Sequence, residues 1–354
     1  MVFRVTELDS LGHVIPNAPF PVTVTDYDTS VVTLSGDTAV AFGVGSTNFA
    51  FHLNGILALA GLTSRDSEVV GVATLGGTPY ESAIFRHGAV FVTAFQGNSV
   101  TRFSPPDTTA GATLAVGYEP TSVAFDSAGA VAYVGALGGA VVDIIDVASF
   151  TLVDSIRVPE QAFTVRVSPD DQSLWVITGM NSLYQFDRAT KDTIATYGIS
   201  GTGPGFVFNP ANDSLLYVSG AGAGWVTEIN YKRKTVGRIF KPGGDTQGLA
   251  ISPDGTHLYI ANASLDEIED YDLGSGTLSK TLSTGADAFD LKCSPDGSTL
   301  WVTLTHAGRV LRVNRASMTL LRTIRTMFAP SRLALTPGDT AVVADQAGRV
   351  AFVR

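Results

Sequence analysis

Leu249-Ala-Ile-Ser-Pro-Asp-Gly-Thr-His-Leu-Tyr-Ile-Ala-Asn262 is the stretch that decides the fold. A short apolar strand runs into Ser-Pro-Asp-Gly, and a second strand carrying Tyr259 follows. Proline presets φ near its turn value and glycine accepts the left-handed one, so the chain reverses tightly there. Leu291-Lys-Cys-Ser-Pro-Asp-Gly-Ser-Thr-Leu-Trp-Val-Thr303 repeats the pattern 42 residues later. Weaker copies stand at Phe125–Gly129, Val167–Asp171, Phe208–Asn212 and Leu335–Asp339. On the second strand, Phe91, Tyr133, Trp175, Tyr217, Tyr259, Trp301 and Val343 are each 42 residues from the next. A period of this size marks a repeated supersecondary unit, and short strands within it point to a β-propeller.

The rest of each unit supplies two more strands. Third strands are expected at Val141–Asp146, Ser182–Asp187, Val226–Asn230, Glu267–Asp272 and Arg309–Asn314. Fourth strands are expected at Leu152–Val158, Thr193–Tyr197, Thr235–Phe240, Leu278–Leu282 and Leu320–Ile324. Four strands per unit make a propeller blade, and seven copies of the register make seven blades. The last unit stops after a third strand at Arg349–Arg354, and Glu68–Leu75 is expected to supply its fourth. Closing the ring this way removes two open sheet edges that would otherwise invite pairing with other chains.

Ile251-Ser-Pro-Asp-Gly-Thr-His-Leu-Tyr-Ile-Ala-Asn262 and its copies resemble the bacterial surface-type YVTN propeller repeats, which are related to the seven-bladed lactonase-like superfamily. The resemblance covers about 290 residues, from position 67 to the end. The Trp-Asp dipeptide of WD40 repeats is absent. The resemblance speaks for fold far more than for function, because propellers host many unrelated activities.

Residues 1–66 do not follow the period. Strand-like stretches at Phe3–Leu8, Phe20–Thr25, Val31–Leu34, Ala39–Phe42, Asn48–Leu53 and Ile56–Leu59 alternate with turn residues, which predicts a small β-sandwich. Asp9–Asn17, Asp28–Leu34 and Val44–Phe49 resemble a bacterial Ig-like domain of the Big-2 type. Val24 stands where that family has a tryptophan, and Met1 falls just before what would be its second strand. One reading is a trimmed or degenerate domain. The other is an open sheet edge that accepts a strand from another molecule, and so self-association into an oligomer or polymer. The expected architecture is all-β: an Ig-like sandwich over 1–66 and a seven-bladed propeller over 67–354.

Composition narrows the partners. A net charge of −10 repels phosphate backbones, which argues against nucleic acid. The longest apolar run, near Ile56–Ala60, is far too short to span a bilayer. The start Met1-Val-Phe-Arg-Val-Thr does not resemble a signal peptide, so the chain is expected to be either a mature form with its leader gone or a cytoplasmic protein. Cys293 is the lone cysteine and is expected to pack as a small hydrophobe.

Loops between blades share one face of a propeller with the turns between second and third strands. These loops bring Tyr80, Glu81, Tyr118, Glu119, Glu160, Phe163, Asp245, Asp287 and Arg332 toward the axis, and His306 joins them from a turn. Aromatics and carboxylates together suit a carbohydrate or a peptide, and a ring of carboxylates suits Ca2+. The competing reading is a set of solvated loop residues with no cofactor. His87 and His257 fall on the opposite face, leaving His306 without a second histidine for zinc. Glu119, Glu160 and His306 are the residues a lactonase- or lyase-like enzyme would have for acid–base work. The expectation for function is a non-enzymatic extracellular or cell-surface protein that binds a protein partner or its own copies. The alternatives are that propeller enzyme and a periplasmic ligand-binding module.

Overall fold

The 42-residue unit becomes a four-stranded antiparallel blade. The computed structural model describes residues 68–354 apart from 86–87, 106–107, 180 and 327–328, together with the backbone of five strands among the first 67 residues. Seven sheets of four strands each are present. Blade 1 comprises Pro79–Ile84, Val90–Ala94, Ser99–Phe103 and Thr113–Ala115, and blade 2 Pro120–Phe125, Val131–Ala136, Val141–Asp146 and Thr151–Arg157. Blade 3 comprises Ala162–Val167, Ser173–Thr178, Ser182–Asp187 and Thr193–Gly198, and blade 4 Phe206–Phe208, Leu215–Gly220, Trp225–Asn230 and Thr235–Phe240. Blade 5 comprises Thr246–Ile251, His257–Asn262, Glu267–Asp272 and Thr277–Ser283, and blade 6 Ala288–Cys293, Thr299–Leu304, Arg309–Asn314 and Thr319–Arg325. Blade 7 takes Pro330–Leu335, Ala341–Asp345 and Arg349–Val353 from the end of the chain and Val69–Thr74 from ahead of blade 1. Arg349 pairs with Thr74 and Val353 with Val69 across that junction.

The repeated aromatic exists because every blade must fill the same gap. Phe91, Tyr133, Trp175, Tyr217, Tyr259 and Trp301 are all buried. Each faces the next blade: the Phe91 ring lies 4.9 Å from Phe125 of blade 2, and Trp175 packs against Phe206 and Phe208 of blade 4. Truncating a side chain of this size in such a gap costs about 3–5 kcal/mol. Blade 7 departs from the expected register by one residue: Ala334 pairs with Val342 where Lys292 pairs with Trp301. Val342, not Val343, therefore stands in the aromatic's place and packs with Val90, Val92 and Phe352 in the gap to blade 1, while Val343 packs with Trp301 on the blade 6 side.

The Ser-Pro-Asp-Gly turn is a small hydrogen-bonded unit. Ser252 Oγ donates to Asp254 Oδ1 at 2.5 Å and accepts the His257 N–H at 3.0 Å. Ser294 repeats this with Asp296 at 2.6 Å and the Thr299 N–H at 2.9 Å. The hydroxyl donors hold both carboxyls down to about 2. Gly255 sits at φ +70°, and a Cβ there would meet Asn209 Oδ1 of the preceding blade at 2.3 Å.

First strands of most neighbouring blades pack side by side, and that of blade 7 lies against that of blade 1. Hydroxyls clasp the blades together. Thr121 Oγ1 donates to Phe163 O, Thr303 Oγ1 to Ser331 O and Ser331 Oγ to Tyr80 O, each at 2.7 Å. The last of these closes the ring from blade 7 to blade 1.

Contacts divide the chain into two compact units, Met1–Ser67 with Arg325–Met327, and Glu68–Ile324 with Phe328–Arg354. In the first, Gly45–Leu53 lies between Thr23–Thr25 and Ile56–Ser64 in one antiparallel sheet. Val32–Ser35 and Thr38–Ala41 pair separately. The strand expected at Phe3–Leu8 and the side chain of Val24 lie outside the described residues. No helix among the described residues is long and apolar enough to cross a membrane.

Candidate functional site

The first strands carry the chemistry of the axis. Counting by 42 along them gives Ser122, Thr164, Phe206, Gly248, Asp290 and Arg332, and two residues further on Ala124, Arg166, Phe208, Ala250, Lys292 and Ala334. Blade 1 adds Glu81 and Ala83. Side chains two apart on a strand share a face, so five charged groups from blades 1, 3, 6 and 7 converge.

Glu81 is buried and bridges two guanidinium groups. Its Oε1 lies 2.9 Å from Arg166 Nη2, and its Oε2 lies 3.8 Å from Arg332 Nη1. Arg166 Nη1 also donates to Val165 O at 2.7 Å and Ser122 Oγ at 3.1 Å. Lys292 Nζ donates to both oxygens of Asp290, at 2.8 and 3.0 Å. Asp290 Oδ2 in turn accepts the Leu333 N–H at 3.1 Å. Burial works against the charge on Arg332, which is 4% exposed. Glu81, then Tyr80 and Asp290, outweigh that and hold its pKa above the ordinary arginine value.

At the loop end of the axis, the Arg332 guanidinium sits 5.5 Å from the Tyr80 ring and 6.0 Å from the Phe163 ring, a double cation–π arrangement. The two rings meet edge to face at 6.4 Å, and Phe95 lies 6.3 Å from Tyr80. Toward the other end, the first strands line an open cavity of about 490 Å3. Glu81, Asp126, Arg166 and Lys292 give it charge, Ser82 and Ser127 add hydroxyls, and Ile84, Phe125 and Leu335 are among its apolar lining. Phe85, Ser127 and Pro295 border it as well, which places its mouth among the turns between first and second strands. Cys293 also borders it, and burial pushes its thiol up to about 11, so it stays protonated at neutral pH.

The ten residues expected at the site fall into two groups. Tyr80, Glu81, Phe163 and Arg332 are brought together at the axis. The remaining six bond within their own or the adjacent blade. Glu160 accepts from Thr178 Oγ1 at 2.6 Å. Asp245 accepts the Gly222 N–H and a Gln247 side-chain N–H, each at 2.8 Å. Asp287 accepts the His306 N–H at 3.0 Å, with His306 Nδ1 2.8 Å from its other oxygen. Glu119 adopts φ +56°, and its N–H donates to Asn98 Oδ1 at 2.9 Å. Tyr118 is 58% exposed beside Gly138. Among the described residues, no group of three or more His, Cys, Asp or Glu side chains could hold a metal ion.

Arg166, Asp290 and Lys292 were missed by sequence reasoning, which looked to the loops. A signal was present. Positions 124, 250 and 334 are alanine on the 42-residue register, while 166 and 292 are Arg and Lys. A cation at a position that is alanine in four blades and phenylalanine in one marks a place where the repeat departs from its packing role.

No protein-family model matches the sequence, and no curated protein matches it. Among solved structures, the chain is similar to a chain of Kuenenia stuttgartiensis hydrazine synthase, with a TM-score of 0.72 and 17% identity. The match covers 79% of this chain and 96% of that one. At that identity the likeness speaks for the propeller fold alone.

Proposed function

We infer that this chain is a non-enzymatic binding protein, extracellular or at the cell surface, whose propeller holds a small ligand on its axis. The axial cavity carries this reading. Its volume falls within the range of small-molecule sites, and it joins an apolar wall to a few convergent charged groups. Arg166 and Lys292 each stand against a carboxylate, an arrangement that orients and neutralises a ligand. The location rests on the resemblance of the repeats to YVTN-type surface propellers and of residues 1–66 to an Ig-like domain.

Thermal unfolding of the full chain against a panel of sugars, peptides and small acids tests it, with Ala334→Leu as a variant whose cavity is narrowed. Ala334 is half-buried and borders the cavity. A compound at 100 times its dissociation constant adds about 2.7 kcal/mol, a rise of several degrees for the wild type. Compounds that act equally on Ala334→Leu, or a panel with no effect, would defeat the reading.

A second observation favours self-association. Ile56–Ser64 is a nine-residue strand that pairs on one side with Gly45–Leu53 and has no second partner among the described residues. Addition of a strand from another copy would satisfy that edge. Light scattering should then report a mass that grows with concentration above the 37.0 kDa of one chain. A single-chain mass at every concentration removes this role.

A further inference from the structure

We propose that the axial cavity takes a small amphipathic monocarboxylate, its carboxylate on Arg166 and its apolar body toward the turn-side mouth. This rests on the reading of the axis as a binding site. The axis is one carboxylate short. Three cations, Arg166, Lys292 and Arg332, face two anions, Glu81 and Asp290. Lys292 engages both oxygens of Asp290. Glu81 is therefore divided between two guanidinium groups, at 2.9 and 3.8 Å, and the longer separation is beyond hydrogen-bond reach. Glu81 Oε2 is buried without a hydrogen-bond partner, so the carboxylate committed to Arg166 does not close on Arg332. Asp126 also borders the cavity, but it already accepts the Ala130 and Val131 N–H groups and faces Arg188 at 3.4 Å.

A ligand carboxylate resolves the shortage. Guanidinium is a rigid fork that matches a carboxylate with two parallel hydrogen bonds. Arg166 is the reachable guanidinium, with its side chain 20% exposed and bordering the cavity, whereas Arg332 is 5% exposed behind it. With Arg166 engaged by the ligand, Glu81 is released to close on Arg332 and satisfy Oε2. Alongside Ser82, Asp126, Ser127 and Cys293, the apolar part of the lining selects the body of the ligand. Ala83, Ile84, Phe125, Leu333 and Leu335 offer no polar side-chain atom, so an acid with an apolar tail gains where a sugar acid would not. Net charge of −10 on the chain works against multiply charged anions, which leaves a single carboxylate as the best match.

Isothermal titration calorimetry on the full chain in about 0.15 M salt, where exposed charges are screened beyond about 8 Å, separates the contributions. The probes are octanoate, octan-1-ol, acetate and octylammonium. Octanoate should bind at least tenfold more tightly than each of the others. Arg166→Gln should weaken it at least tenfold, and Ala334→Leu should abolish it. If Arg166→Gln does not fold by circular dichroism, Arg166→Lys replaces it, keeping the charge and removing the fork. The expected loss is then about fivefold. Octan-1-ol binding as tightly as octanoate overturns the proposal, as does unchanged octanoate affinity in the Arg166 variant. Absence of octanoate binding, while some other compound is blocked by Ala334→Leu, overturns the carboxylate and leaves the axial site standing. Absence of any cavity-dependent binding removes both.

Discussion

The two ends of the propeller axis are framed by the same first strands, yet they use polar residues in opposite ways. At the loop end, carboxylates close locally. Glu160 binds Thr178, Asp245 binds Gly222 and Gln247, and Asp287 binds His306. Deeper on the axis, charges close across blades. Glu81 of blade 1 reaches Arg166 of blade 3 and Arg332 of blade 7. Local bonds tie the carboxylates of Glu160, Asp245 and Asp287 to neighbouring turns and strands. Cross-blade pairs form only when the ring is shut, and they leave a charge to be matched. An acidic, loop-borne residue is thus a poor guide to a propeller's site when a turn next to it offers an N–H.

The largest break in this comparison is expected at Arg332. Removing one partner of a buried ion pair leaves the other charge uncompensated, typically at a cost of about 3–5 kcal/mol. Arg332→Met should lower the urea-derived unfolding free energy by an amount in that range. Glu81→Gln added to it should restore part of the loss, since the two act as one unit. A loss below about 1 kcal/mol in the single variant would mean that Arg166 alone satisfies Glu81. Cross-axis pairing would then contribute little to stability.

Glu269 offers the corresponding test at the loop end. It stands near the turn between the second and third strands of blade 5, where Asn262 Nδ2 donates to its Oε1 at 3.1 Å and to Gly243 O at 3.0 Å. Burial raises its pKa from 4.5 to about 7, the Asn262 bond opposes this, and Glu267 adds to it. The unfolded chain therefore ionises this group first. Stability falls as pH rises from about 4.5, and the penalty is complete above about 7. Glu269→Gln keeps an oxygen for Asn262 and cannot ionise. It should match the wild type near pH 4 and exceed it by up to about 3 kcal/mol near pH 8. Equal stability at both pH values would place the group in contact with water.

Much of the architecture was legible because a propeller repeats its demands. Every blade needs a large residue between itself and the next and a tight turn between its first two strands. Phe91 through Trp301 and the Ser-Pro-Asp-Gly copies therefore stand on one register. The expected outer strand at Glu68–Leu75 corresponds to Val69–Thr74 in the structure. The site was legible only in part. Tyr80, Glu81, Phe163 and Arg332 lie on first strands at the axis, where blade geometry alone directs them inward. Asp245, Asp287 and Glu160 have the same residue chemistry, but their partners are backbone N–H groups and hydroxyls that carry no sequence signature. Arg166 and Lys292 follow a turn-face logic that becomes visible only when first strands are aligned against one another and the alanines stand out.

The smallest effect, and the sharpest contrast, concerns the Asp287–His306 pair at the loop end. In sequence it looks like the beginning of an active site, a histidine beside a carboxylate. In the structure the His306 side chain is 89% exposed, while Asp287 is 15% exposed and takes the backbone N–H of residue 306 as well as the ring. Exposed ion pairs contribute about 0–1 kcal/mol, because water and salt screen them and both side chains lose freedom. His306→Ala should therefore change stability by less than about 0.5 kcal/mol. Asp287→Ala should cost about 1 kcal/mol more, because it also leaves a turn N–H without its acceptor. Neither should alter binding in the axial cavity. If His306→Ala abolishes a binding or turnover signal while folding is unchanged, the loop end is functional after all. The division between a structural loop end and a binding turn end would then have to be redrawn.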